Sequence, residues 1–92
     1  MSKELAPCYA GRLLDSWLEA ADKEREWLLD QINERRARIG LVGKIAYSNL
    51  WRWRMGRQKP DVNHAAIVAD ITAGVVPMSA WADGAESAAA AA

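Results

Sequence analysis

Ile45-Ala-Tyr-Ser-Asn-Leu-Trp-Arg-Trp-Arg-Met-Gly-Arg-Gln-Lys-Pro60 is the stretch on which the reading of this chain turns. It carries Arg52, Arg54, Arg57 and Lys59, has no acid, and interleaves Trp51 and Trp53 with the arginines. Taken at period two, Trp51 to Met55 alternates like a strand. The flanks argue for a helix. Ser48 or Asn49 can accept from the free N–H groups of a first turn. Gly56 suits the left-handed position after a last turn, and Pro60 bars continuation. A short helix over about Ser48 to Met55 follows, with its arginines outward. Leu50 and Trp53 share one face, Trp51 and Met55 another, and Arg52 lies near Asn49 and Ser48 on a polar strip.

A short helix bearing arginine and small polar groups fits the major groove of B-DNA. Arginine can donate two bonds to guanine O6 and N7, and asparagine can pair with adenine. The same pattern also describes a surface helix with solvated arginines and a tryptophan anchor. The helix alone leaves the two readings level.

The remainder of the chain supplies the context. Its 92 residues leave room for one small domain, 51% of them are hydrophobic, and five tryptophans supply much of the bulk in the absence of phenylalanine. Helix formers dominate and β-branched residues are scattered, which predicts an all-α fold. The formal net charge is zero, yet the charges are segregated. From Arg35 to Lys59 the bases are Arg35, Arg36, Arg38, Lys44, Arg52, Arg54, Arg57 and Lys59 with no acid between them, and after Lys59 only acids follow. A basic block of this kind is the electrostatic footprint of a phosphate-binding face. The single cysteine, Cys8, excludes an internal disulfide and has no partners for zinc; a reduced, half-buried thiol is expected. No long apolar run or leader-like hydrophobic segment occurs, so no membrane partner and a cytoplasmic location, in a bacterial host cell, are expected. One histidine, one cysteine and no carboxylates clustered beside either leave no nucleophile–base pair; no enzyme, cofactor, metal or small-molecule substrate is expected.

Read in order, Ser2 to Pro7 should be loose. Leu14, Trp17, Leu18 and Ala21 form an apolar helical stripe. Asp22 could cap a second helix carrying Trp27, Leu28 and Ile32, or one helix could run through; two helices are favoured. Arg35, Arg36 and Arg38 suit a helix C-terminus as well as they suit phosphate. Ile39-Gly-Leu-Val-Gly-Lys-Ile45 is apolar with two glycines, which fit close packing or a tight turn, so the section from about Arg36 to Met55 reads as helix, turn, helix. Beyond Pro60, Asp61 is a candidate N-cap. Val62, Ala65, Ala66, Ala69, Ile71 and Thr72 are a predicted buried face, Gly74 is a stop, and His64 is a surface or capping residue. Val75 to Pro77 should be extended, Ser79 should open a last turn carrying Trp81 as a core clamp or dimer contact, and Gly84 to Ala92 should fray.

Ala46 to Pro60 resembles the recognition helix and exit of Cro- and lambda-repressor-like helix-turn-helix proteins, in which a Ser-x-x-x-Arg-Trp-type helix precedes Gly-Arg/Lys and a Lys-Pro turn. Ala73-Gly-Val-Val-Pro-Met-Ser-Ala-Trp81 resembles the Gly-x-Val-Pro-x-x-x-Trp ending of small phage and prophage regulators, including YdaS-like ones. The similarity spans about Arg36 to Trp81, with Lys44 where the family's turn usually has glycine. The resemblance implies base contacts from Tyr47, Ser48, Asn49 and Arg52. It implies phosphate contacts from Arg57 and Lys59, to which the basic block adds Arg36, Arg38, Lys44 and Arg54. The organisation expected is then 1–35 as amphipathic helices extra to the family core, 36–82 as a helix-turn-helix core within five to six short helices, and 83–92 as a disordered tail.

A phage-type repressor that occludes a double-stranded DNA operator is the leading expectation, as a homodimer because one short helix reads few base pairs. The dimer surface would come from the N-terminal stripe, the Val75 to Trp81 ending, or both. The rival is a protein-binding module, an antitoxin or phage inhibitor of a host protein, using tryptophan and arginine anchors.

Overall fold

Tyr9–Ala20 forms α1 because Ala10, Leu14 and Leu18, spaced by four, bury on one stripe. This is seen in a computed structural model that describes residues 6–91. The loose start expected from Ser2 lies up to Leu5 outside the described residues, as does Ala92. α1 ends at a Schellman turn in which Asp22 takes a left-handed φ of 57°, with Asp22 N–H donating to the Glu19 carbonyl and Lys23 N–H to that of Leu18. Asp22 therefore closes the first helix instead of capping the second, and Glu24 holds the N-cap position of α2 (Arg25–Arg38).

α3 (Tyr47–Arg54), α4 (Val62–Ile71), a single 3-10 turn (Met78–Trp81) and α5 (Ala85–Ala91) follow. The fold is all-helical, as the composition predicts, with no strand among the described residues. Leu14, Leu18, Leu28, Ile32, Leu50, Trp53, Val68, Val76 and Trp81 belong to one core cluster. α3 packs on α1 and α2, α4 on α2 and the 3-10 turn, and that turn on α1 and α5. Helix α2 runs across the expected boundary at 35/36, and the first two helices supply five members of the core (Ala10, Leu14, Leu18, Leu28 and Ile32). They are part of the domain that holds α3. The Leu14 and Leu18 stripe faces its own core, with Trp17 half-buried and stacked on Trp27 at 6.1 Å between centroids.

α1 and α3 meet at unusually short range. A Cβ on Gly11 would fall 2.1 Å from the Arg54 carbonyl oxygen, so only glycine permits this approach. Cys8 N–H donates to the same carbonyl at 2.8 Å, and its half-buried thiol lies 3.4 Å from the Trp53 carbonyl. The positive end of α1 thereby meets the negative end of α3.

The apolar run from Ile39 to Ile45 is not helical. α2 stops at Gly40, whose φ of +81° closes a second Schellman turn, and eight residues (39–46) lead to α3. That connection exceeds the three to four residues of a helix-turn-helix turn. Two side chains of α2 hold it. Arg36 Nη2 donates to the Val42 and Gly43 carbonyls, while Asn33 bonds both the carbonyl and the N–H of Ile45. Nothing lies within 4 Å of a Cβ built on Gly40 or Gly43, so the glycines serve the turn and not close packing.

Three other expectations are corrected. On α4 the buried residues are His64, Ala65, Ile67 and Val68, with Val62 and Ala66 exposed. Helix α4 ends at Ile71, with Ala73 at φ 52° ahead of Gly74. The tail expected to fray is helical from Ala85 to Ala91, in keeping with alanine's helix propensity and tied by the Arg12–Glu86 ion pair.

Candidate nucleic-acid interface

Because α1 and α2 cradle α3, one side of that helix is spent on packing. Leu50, Trp53 and Arg54 point inward, at 0%, 4% and 5% exposure. The outward side carries two rows at helical spacing, Tyr47 with Trp51 and Ser48 with Arg52, all exposed. Asn49 is half-buried between the sides. Its Oδ1 accepts from Ala46 N–H at 2.9 Å, so the residue expected to meet a base starts the helix, and Ser48, the other candidate cap, makes no capping bond. The helix begins one residue earlier than expected, at Tyr47.

Arg54 is the clearest correction among the basic residues. Expected against DNA phosphate, it turns inward to Asp15 of α1, with Nε–Oδ1 at 2.8 Å and Nη2–Oδ2 at 2.7 Å. This fork-to-carboxylate geometry is the strong form of the ion pair. The bond from Asp15 raises the pKa of Arg54 against the opposing effect of burial. The nearest other cation on Asp15 is Arg25, at 3.9 Å.

Arg36 is likewise committed. Besides the loop carbonyls, its Nη1 lies 2.7 Å from His64 Nε2. A guanidinium only donates, so Nε2 accepts and His64 Nδ1–H donates to Asp61 Oδ1 at 2.7 Å. His64 is thus a buried structural residue with neither ring nitrogen free to act as a base; of the two expectations, surface or capping residue, the bonds to the N-cap Asp61 fit the second. Asp61 caps α4 as predicted, accepting from His64 N–H at 3.0 Å. That backbone bond is the main reason its carboxyl stays below the ordinary range, with the imidazole contributing.

Five of the expected phosphate and base cations remain on the surface. Lys44, Arg52 and Arg57 are exposed and pair with no carboxylate among the described residues. Arg57 instead lies over the Trp51 ring, 5.9 Å from its centroid. Arg38 pairs with Glu34 and Lys59 with Asp83, all four side chains at least half exposed. Exposed pairs contribute about 0–1 kcal/mol, so either cation can exchange its carboxylate for a phosphate at little cost.

The charge around α3 is uneven. Tyr47 borders a recess of about 360 Å³ lined by acids, Asp15, Glu19, Glu24 and Glu26, and by the cations Lys23 and Arg25. The flank of Arg52 and Arg57, with no acid paired to either among the described residues, is the one that favours phosphate. Trp51, one turn after Tyr47, also lies on this outward face, although the sequence pattern gave it no DNA contact. Among the described residues no group of three or more His, Cys, Asp or Glu side chains could hold a metal ion, and no helix is long and apolar enough to cross a membrane.

No protein-family profile matches the chain, and neither the curated proteins nor the solved structures contain a detectable match to it.

Proposed function

We propose that this protein binds double-stranded DNA and regulates transcription by occupying an operator, with α3 entering the major groove. The observation that carries the reading is the outward face of α3. Tyr47, Ser48, Trp51 and Arg52 stand clear of the core beside Lys44 and Arg57, cations with no carboxylate partner among the described residues. Arg52 would read guanine, and Tyr47 and Ser48 would reach neighbouring base edges. Lys44, Arg57, Lys59 and Arg38 would hold phosphates and set the register. The motif resemblance to Cro-like and YdaS-like regulators supports this role for α3, while the eight-residue connection before α3 is longer than the turn of that motif.

An α3 of eight residues reads few base pairs, so two copies on a pseudo-palindrome are part of the proposal. Leu14, Leu18 and Trp81 are spent on the core and do not supply the dimer seam. The alternative of a protein-binding module rests on the same exposed Trp51 and Tyr47.

Selection of bound duplex from a random library, followed by titration of Arg52→Ala, tests the reading. The variant should lose about 1–3 kcal/mol on the selected site, relax preference at one base pair, and lose much less on random duplex. Equal losses on both would make Arg52 a phosphate contact. Failure to enrich any duplex would leave the protein-binding alternative.

A further inference from the structure

Five tryptophans are distributed unevenly between core and solvent. Trp53 and Trp81 are buried, and Trp17 and Trp27 shield each other by stacking. Trp51 is 36% exposed in the middle of the outward face of α3, one turn after Tyr47 and beside Arg52. With about a third of its surface open on the side proposed to face DNA, the indole is placed to meet an apolar group there. The Arg57 guanidinium lies over the ring. At 5.9 Å from the centroid this is a loose cation–π pairing that leaves the indole available for a groove contact. It also fixes a cation beside the indole.

The major groove of B-DNA offers few apolar features. The 5-methyl group of thymine is the one that distinguishes a base pair there. Resting on the duplex-binding reading above, we infer that Trp51 is a specificity-determining residue that packs on a pyrimidine 5-methyl group in the major groove. Arg57, held over the ring, binds the neighbouring phosphate. Thymine and 5-methylcytosine present the same methyl group, so both are candidate sources of this chemistry.

The test starts from a duplex selected by the full chain. Each thymine is replaced in turn by deoxyuridine, which removes only the methyl, and binding is followed by fluorescence anisotropy. One position should weaken wild-type binding about fourfold, the effect of one methyl group leaving an apolar contact. Trp51→Ala, checked for helicity by circular dichroism, should bind thymine and deoxyuridine duplexes alike. At the sensitive position, cytosine and 5-methylcytosine are then compared; tighter binding of the methylated base assigns both sources, and equal binding assigns thymine alone. A 5-iododeoxyuridine at that position, irradiated with the wild-type protein, should crosslink to Trp51, which keeps the test decisive if the alanine variant does not fold. If wild type binds duplex but every thymine is neutral, the methyl contact is wrong and the DNA reading stands. Retained sensitivity in folded Trp51→Ala, or a crosslink to another residue, also overturns the assignment. If no duplex binds, or single strands bind more tightly, both readings fall together.

Discussion

Removing Asp15 should harm this protein more than removing the arginine it holds. In Asp15→Ala the Arg54 guanidinium loses two charge-assisted bonds of 2.8 and 2.7 Å while its side chain remains only 6% exposed. Water cannot replace the carboxylate without opening the contact between α1 and α3. Stranding one partner of a buried pair costs about 3–5 kcal/mol, and the partial exposure of Asp15 puts the expectation near the lower end, about 3 kcal/mol. A domain of this size has on the order of 5–14 kcal/mol of total stability, so the loss is a large fraction. Arg54→Met keeps the apolar stem and leaves Asp15, 26% exposed, to water and to Arg25. That variant should lose only about 1 kcal/mol, the scale of a more exposed pair. Urea titration followed by circular dichroism measures both. The midpoint should fall by about 1.5–3 M for Asp15→Ala and by well under half as much for Arg54→Met. The reverse order, or equal small losses, would refute the buried bidentate pair and return Arg54 to the surface.

Three further perturbations test the frame around α3. Gly11→Ala places a methyl 2.1 Å from the Arg54 carbonyl oxygen and should cost at least about 2 kcal/mol in thermal or urea unfolding, as overpacking does; a wild-type melting point would mean the helices are further apart. Ala73 holds a φ of 52° at the end of α4, so Ala73→Gly should stabilise by about 0.5–1 kcal/mol, where an interior helix position would be weakened. Asp61 has a pKa lowered from 3.8 by the His64 N–H. Its contribution is therefore present above its unfolded pKa and lost as pH falls through the lower folded value. Asp61→Ala should lose about 1 kcal/mol at pH 7, and the gap to wild type should close below about pH 4; a gap that widened in acid would contradict the assigned cap.

What the sequence made legible was local. Helix ends at Gly56 and the cap at Asp61 announce themselves within a few residues, and the α1 stripe has its period written in Leu14 and Leu18. The fate of Arg54 was hidden because its partner, Asp15, is 39 residues away and nothing local marks the pair. Helical arithmetic held half the answer, since position 54 lies one turn after the buried Leu50. For the loop at 39–46 the two glycines left close packing and a tight turn both open, and the length of the connection was not legible. What settles its conformation are polar side chains, Arg36 and Asn33, that satisfy its carbonyls and N–H groups from outside. Asn49 illustrates the same limit. An amide suited to adenine is equally suited to an N-terminal N–H, and Ala46 claims its oxygen first.

The central claim is that the face of α3 meets duplex DNA, and the salt dependence of binding to random duplex tests it most directly. With Arg38, Lys44, Arg57 and Lys59 on phosphates, the logarithm of the binding constant should fall with the logarithm of salt at a slope of about −3 to −4 per chain. Arg57→Ala should reduce the slope by about 1, while Arg54→Met should leave it unchanged because that guanidinium is committed to Asp15. A slope near zero, or one that Arg54→Met reduces and Arg57→Ala does not, would contradict the account.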